Sequence, residues 1–462
     1  MDLNAACNGA GDLDLLFDRA QSGLVTRMLY DLDFKRAESN IDRQYPGLED
    51  YFGFDFESEC MVHLQVHYQM VTGQPLIKNY RFSIEDQVLD NLILHENTNV
   101  PVPAPTLEAA VHLFRGLIKL GWTFSLRPTQ LRAHLAKVRE ELVYLLPAGS
   151  ENLDESLFKK TFPGLDFDLF CVLVDSIQSE VTLIDWYKIR VKLLPFLDQY
   201  KRRGQIAEHS AWLVRRFYLF LYMKTFGKAP LRMPATGGVG IAVVGSDGAG
   251  KSTNLKELES WLGRFFKTSR VHMGRPKPGI GTRVFSRLTR IVERLGNGKY
   301  SIPQPGKPDV NQWPGYLAWI PANLYLALAR DRWRTYLKIK HRTGAGQVVL
   351  CDRFPMQGIK LMDSPRISKV ADTGSGIYSW LAKKEAAIYE CFEQLDLTVL
   401  LVLDPEMAAQ RQPGDGREYV LARAGEVQRF AEVVGDETLV VDASQPLETV
   451  VEQVRHLVWS RI

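Results

Sequence analysis

The stretch VGIAVVGSDGAGKST, residues 239–253, decides how the C-terminal half of this chain is read. It opens with seven small or β-branched apolar residues, a run suited to a strand buried on both faces. GSDGAGKS (Gly245–Ser252) then satisfies G-x-x-x-x-G-K-[ST] at every position. Glycines at 245, 248 and 250 let the backbone wrap closely, so that Ser246, Asp247 and Ala249 can aim N–H groups at a phosphate. A helix starting near Ser252 adds its positive N-terminal end. Lys251 would bridge β- and γ-phosphates, and the Ser252 hydroxyl, followed by Thr253, would face Mg²⁺. ATP and Mg²⁺ are therefore the expected ligands. The loop alone does not separate a kinase from a GTPase or a motor.

Working outward, GKAPLRMPATGG (227–238) is rich in Pro and Gly and marks a domain boundary. Beyond it, helices near 317–342 and 381–394 precede the strands QVVLC (347–351) and LTVLLVL (397–403). TLVVDA (438–443) precedes a last helix at 446–459. Val/Ile/Leu runs alternating with helices imply an α/β fold, a P-loop NTPase parallel sheet with helices on both faces. Three domains are expected: 1–148, α+β; 149–232, a helical connector; and 233–462, the phosphate-loop domain. In the first, MVHLQVHYQ alternates as a half-buried strand does, and Pro101, Pro103 and Pro105 precede a helix at 107–120.

Four stretches in order resemble the thymidylate kinase family along roughly 230 residues: GSDGAGKST; RDRWRTYLKIKHRTGAGQVVLCDRF (330–354); LDLTVLLVLDPEMAAQR (395–411); and VVDASQPLETVVEQV (440–454). The resemblance implies that Arg353 grips the acceptor phosphate and that Asp352 orders Mg²⁺ or the attacking oxygen. It also places Asp247, Arg275 and Arg332 on the acceptor side. The loop between Gly245 and Lys251 has no arginine, so the cation that offsets charge on the moving phosphoryl group must come from elsewhere. RQPGDGREYVLAR (411–423) offers Arg411, Arg417 and Arg423 where the family's lid lies, with Gly414 and Gly416 as hinges. The expected activity is ATP-dependent transfer to a small phosphorylated acceptor, a nucleoside monophosphate or a sugar phosphate.

The resemblance breaks between Met273 and Trp313. VHMGRPKPGIG (271–281) lacks the family's Glu, and a basic segment follows. Residues 270–307 carry Lys or Arg at 270, 275, 277, 283, 287, 290, 294, 299 and 307, against the single acid Glu293. Leu328 stands where the family stacks an aromatic ring on thymine. These departures argue against dTMP and for a larger or more anionic acceptor, such as a sugar phosphate or a nucleotide-linked sugar.

In the first domain, GAGDLDLLFD (9–18) places Asp12 and Asp14 on one face of a strand, where both could hold Mg²⁺. This looks like the nucleotidyltransferase fold. The strand expected to bring a third carboxylate offers His63, Gln65 and His67 instead, so a degenerate nucleotidyltransferase-like domain is expected. A nucleotidyltransferase and a non-catalytic, ATP-switched regulatory protein stand as the alternatives to a kinase.

The whole composition sets few limits. The net charge of +3 on 462 residues does not mark a nucleic-acid binder, and five scattered cysteines without C-x-x-C spacing suit a reducing compartment. No leader pattern and no apolar run of membrane-spanning length is visible, and LVRRFYLFLYMKTF (213–226) reads as an amphipathic helix. A cytoplasmic protein, with homodimerisation among its expected assemblies, follows from that reading.

Overall fold

The computed structural model describes residues 11–40, 43–74, 76–95, 98–119, 128–178, 182–226, 231–295, 313–374, 376–413, 416–435 and 437–462. Residues 227–230 of the expected linker, Lys299, Lys307 and the hinge candidate Gly414 lie outside them. The chain divides into two compact units, Met1–Pro230 and Leu231–Ile462.

The first unit is α+β. Strands β1 (Asp12–Leu16), β2 (Lys35–Glu38), β3 (Leu48–Asp55) and β4 (Cys60–His67) lie in the order β1-β4-β3-β2, with helix α1 (Ser22–Asp31) between the first two in sequence. β1 runs parallel to β4, pairing Asp12 with His63 and Asp14 with Gln65. β3 runs antiparallel to β4 and sets Asp50 opposite Gln65. Alternation sends Tyr51, Leu64 and Val66 into a small apolar core shared with Val25 and Leu29 of α1.

Five longer helices follow: α2 (Pro105–Lys119), α3 (Pro128–Leu145), α4 (Phe167–Gln178), α5 (Leu183–Asp198) and α6 (Gln205–Phe226). Pro at the first turn of α2 and of α3 sets φ where no N–H is needed. Thr182 and Asp185 form a reciprocal capping box at the start of α5. The helices of residues 155–198 share one core with residues 80–146, built around Phe82, Phe114, Phe158, Phe162 and Phe170. The segment that sequence texture sets apart as a connector thus packs into the same core as the end of the first domain. α6 leaves Leu213, Val214, Phe217 and Phe220 exposed.

The second unit is a doubly covered parallel sheet. Its strands are β5 (Gly240–Gly245), β6 (Thr268–His272), β7 (Val348–Asp352), β8 (Leu397–Val402) and β9 (Thr438–Asp442), in the order β6-β7-β5-β8-β9 and parallel throughout. The helices are α7 (Lys251–Leu262), α8 (Ile280–Leu295), α9 (Trp319–Gly344), α10 (Gly376–Glu390), α11 (Pro405–Arg411), α12 (Arg417–Val433) and α13 (Leu447–Trp459). Ala242, Val244, Val349, Cys351 and Leu400 face one layer, meeting Tyr336 and Ile339 of α9, Tyr389 of α10 and Val427 of α12. The alternate residues Ile241, Val243 and Leu350 face the other way and are fully buried. Leu255 and Leu258 of α7 and Val454 and Trp459 of α13 are also buried, and the Trp261 and Trp459 rings lie 5.9 Å apart. This is the P-loop NTPase arrangement expected from the sequence. From β5 the chain moves to one side of the sheet, and from β7 it crosses back to the other. Ligands in such sheets sit beyond the strand C-termini beside that reversal.

Candidate functional site: the phosphate loop and its arginines

At the C-terminal end of β5 the chain turns through Gly245, whose φ of +153° favours glycine. A Cβ there would meet the Leu401 carbonyl of β8 at 2.5 Å, so the loop can leave the sheet only if this position is bare. Gly250, at φ +80°, then caps α7, and Ser252 and Thr253 stand exposed on its first turn. Lys251 is 7% exposed and donates to the Ser246 carbonyl at 2.6 Å, with its Nζ 3.8 Å from Asp247. Burial pushes its ammonium down to about 8, against the pull of Asp247. The Ser246 hydroxyl is fully buried in the loop without a hydrogen-bond partner among the described residues.

Asp247 is the hub of the site. Arg353 Nη2 donates to its Oδ1 at 2.7 Å, and Arg423 Nη1 donates to its Oδ2. Burial alone would raise this carboxyl. The charges of Arg423, Lys251, Arg353 and Arg275 outweigh burial and hold it below the usual carboxylate value. Arg353 has φ +64°, a left-handed backbone that costs energy for a branched-off side chain and clusters at functional sites. Its N–H donates to the Val243 carbonyl of β5, fixing the turn after β7.

Arg353 also faces Asp363, at 4.0 Å, and Asp363 accepts from Arg332 Nη2 at 2.8 Å. The remaining donors of Arg332 reach the Met273 carbonyl at 3.2 Å, the Gly274 carbonyl at 3.4 Å and the Tyr389 hydroxyl. A chain of alternating charges thus runs from the phosphate loop to α10. Arg332, placed on the acceptor side by the sequence, is 9% exposed with its fork fully engaged. It braces the Met273–Gly274 turn and the Asp363 loop. Its neighbour Asp331 is buried too, accepting from Gly279 N at 2.7 Å and Thr282 Oγ1 at 2.6 Å, and so docks the start of α8. Arg275 is exposed beyond that turn, and its backbone N–H meets His272 Nδ1 at 3.3 Å.

No family model matches this chain. Among curated proteins, YghR of Escherichia coli K12, named an uncharacterized ATP-binding protein, is 29% identical over 225 residues, which is 47% of this chain and 86% of YghR. A thymidylate kinase of Geobacillus sp. WCH70 is 30% identical over 218 residues, 45% of this chain and 89% of that enzyme. A thymidylate kinase of Bacillus cytotoxicus is 26% identical over 237 residues, 49% of this chain and 99% of its own length. The chain belongs to the thymidylate kinase family.

In this thymidylate kinase family member Arg411, Arg417 and Arg423 are placed differently. Arg423, 4% exposed on α12, reaches Asp247, and its guanidinium lies 5.2 Å from the Tyr419 ring. Arg411 donates to the Gly248 carbonyl at 3.4 Å and the Ala443 carbonyl at 3.3 Å, linking the phosphate loop to the turn after β9. Arg417 is exposed and pairs with exposed Glu406 at 2.6 Å. Asp352, at the end of β7, is buried and accepts from Arg270 Nη2 of β6 at 2.9 Å. Leu328, in place of the family's aromatic, packs against an apolar cluster that includes Tyr325, Ile367 and Leu381.

The N-terminal carboxylates depart from expectation. His63 of β4 lies between strands and bonds Asp12 through Nδ1 at 2.6 Å and Asp50 through Nε2 at 2.9 Å. The imidazole of His63 thus bridges the two carboxylates. Its ring stacks on Phe52 at 4.5 Å. Gln65 also donates to Asp12, and His67 lies 3.5 Å from Asp14. Asp50 of β3 is thus a further carboxylate beside Asp12, one that the reading of the β4 strand alone does not include. Its signal was the alternation of LEDYFGFD, which sends Asp50 to the face opposite Tyr51. Among the described residues no group of His, Cys, Asp and Glu is arranged to hold a metal ion. Asp12, where Mg²⁺ is expected together with Asp14, is engaged by His63 through Oδ1 and by Gln65 through Oδ2. Among the described residues no helix is long and apolar enough to cross a membrane.

Proposed function

We propose that the second unit is an ATP-dependent phosphotransferase that moves the γ-phosphate of ATP to a small phosphorylated acceptor, a nucleoside monophosphate or a sugar phosphate. The observation that carries this is the convergence of Arg353 and Arg423 on Asp247, at the mouth of a phosphate loop. Two guanidiniums from separate elements stand where charge on a moving phosphoryl group needs support.

The N–H groups of Gly248–Ser252 and Lys251 would bind the β- and γ-phosphates, aided by the α7 dipole. The exposed Ser252 hydroxyl fits Mg²⁺, and Asp352 behind it is the acid we assign to the same ion. When bound, Mg²⁺ supplies charge compensation on the phosphates. Arg353, with Arg275 beside it, would orient the acceptor's phosphate, and Arg423 and Arg411 would close over the donor. Leu328 and the basic α8 favour an acceptor other than dTMP, with more anionic charge.

The test is ADP release from ATP and Mg²⁺ against a panel of nucleoside monophosphates and sugar phosphates. One acceptor should stimulate turnover, and Lys251→Ala should reduce it on the order of 10²–10³-fold. If no acceptor stimulates ADP release, or Lys251→Ala leaves turnover intact, the kinase assignment fails.

A further inference from the structure

A cavity of about 320 Å³ lies inside the N-terminal unit, between the Gln74–Tyr80 segment and helices α5 and α6. That size suits a small molecule. The cavity resists collapse because its rim is tied by main-chain bonds. Arg81 N donates to Tyr200 O at 2.9 Å, Arg202 N to Asn79 O at 2.9 Å, and Arg202 Nη1 to Lys78 O at 3.0 Å.

Two side chains on its wall each carry a buried polar atom without a hydrogen-bond partner. Glu208 of α6 is 9% exposed, and its Oε1 has no hydrogen-bond partner; Arg190 of α5 has a buried Nε in the same state. Neither forms an ion pair among the described residues. A third charge on the wall, Lys201, is paired with Asp198 at 2.8 Å and also feels Glu208, but no hydrogen bond reaches Glu208 Oε1. A buried carboxylate and a guanidinium held apart are costly unless something answers both. Leu194 and Trp212 supply an apolar side to the same space.

We propose that this cavity binds a small zwitterion of the amino-acid class. Its carboxylate would pair with Arg190, its ammonium with Glu208, and its side chain would lie against Leu194 and Trp212. The charges set the polarity of the ligand, since a simple anion would leave Glu208 unanswered and a simple amine would leave Arg190 so. The site stands on the N-terminal unit alone and does not depend on the kinase assignment.

Calorimetric titration of the full chain with each of the twenty standard amino acids tests this. At least one should bind saturably and raise the melting temperature with the logarithm of its concentration above Kd. Its amine-free acid and its acid-free amine should bind at least about tenfold more weakly, as should Arg190→Met and Glu208→Gln toward the intact ligand. Leu194→Trp, which narrows the cavity and keeps both charged residues, should weaken binding at least about tenfold and decides the matter if a charge variant fails to fold. Absence of saturable binding for all twenty at about 10 mM overturns the proposal. So does a ligand that binds the Leu194→Trp protein, or both charge variants, as well as it binds the original chain.

Discussion

Lys251 holds its proton loosely because it is buried beside Arg353 and Arg423, and this gives the phosphate loop a measurable pH signature. A bound triphosphate favours the charged ammonium, so binding takes up a proton once the pH exceeds about 8. ATP affinity should therefore fall by up to about tenfold per pH unit between roughly pH 8 and 10, and Lys251→Arg should remove that slope. Without nucleotide the sign is opposite for folding. The unfolded lysine keeps its proton up to 10.5 while the folded one has lost it, so stability rises with pH across that window. Arg423 and Arg417 separate by turnover. Arg423→Ala should lower kcat on the order of 10²–10³-fold, while Arg417→Ala, removing an exposed pair, should stay within about fivefold. Motif spacing named Lys251 and Ser252 outright, because the loop is local. Whether Arg411, Arg417 or Arg423 faces the loop depends on how α11 and α12 pack, and three arginines within thirteen residues look alike until they do.

Among elements, α8 shows how a basic amphipathic helix is fastened. Asp331 of α9 takes hydrogen bonds from Gly279 N and Thr282 Oγ1 across about fifty residues of sequence, from a position 3% exposed. Asp331→Ala leaves both donors without their acceptor and should cost about 2–4 kcal/mol, read as a shift in the urea midpoint with an unchanged slope. A run such as Arg330, Asp331, Arg332 and Arg334 reads as a solvated helix face, yet its middle two residues are interior. Their partners Gly279 and Asp363 come from loops and Thr282 from α8, which no helical period connects to α9. The strands differ in the same way. β5, β7 and β8 are continuous apolar runs and announce themselves; β6, reading TSRVH, is a half-exposed edge strand whose alternation is too short to stand out. Asp50 escaped for the same reason that β3 brings it to His63: strand pairing, not local pattern, decides which acids meet.

At the scale of the molecule, each unit carries its own apolar core. The cluster around Ala242, Val349 and Tyr336 and the one around Tyr325 and Ile367 draw on residues after 231 alone. A chain of residues 231–462 should fold by itself, unfold in one cooperative transition, and bind ATP within about threefold of the full protein. Loss of cooperativity in calorimetry would contradict that expectation. The arrangement of the two cores was partly legible in the Pro/Gly-rich boundary near 227–238. The sharing of one phenylalanine-rich core by residues 80–197 was not, since it depends on contacts between distant helices.

Asp247 gives the whole site an exchange character. Its carboxylate already satisfies Arg353 and Arg423, so an arriving phosphate competes with a resident anion for the same two guanidiniums. Affinity at this loop is then a difference between two anions, and selectivity tightens: a weakly charged visitor does not win the exchange. Asp247→Asn should bind inorganic phosphate more tightly than the original chain while discriminating less between mono- and diphosphates, as competition titrations would show.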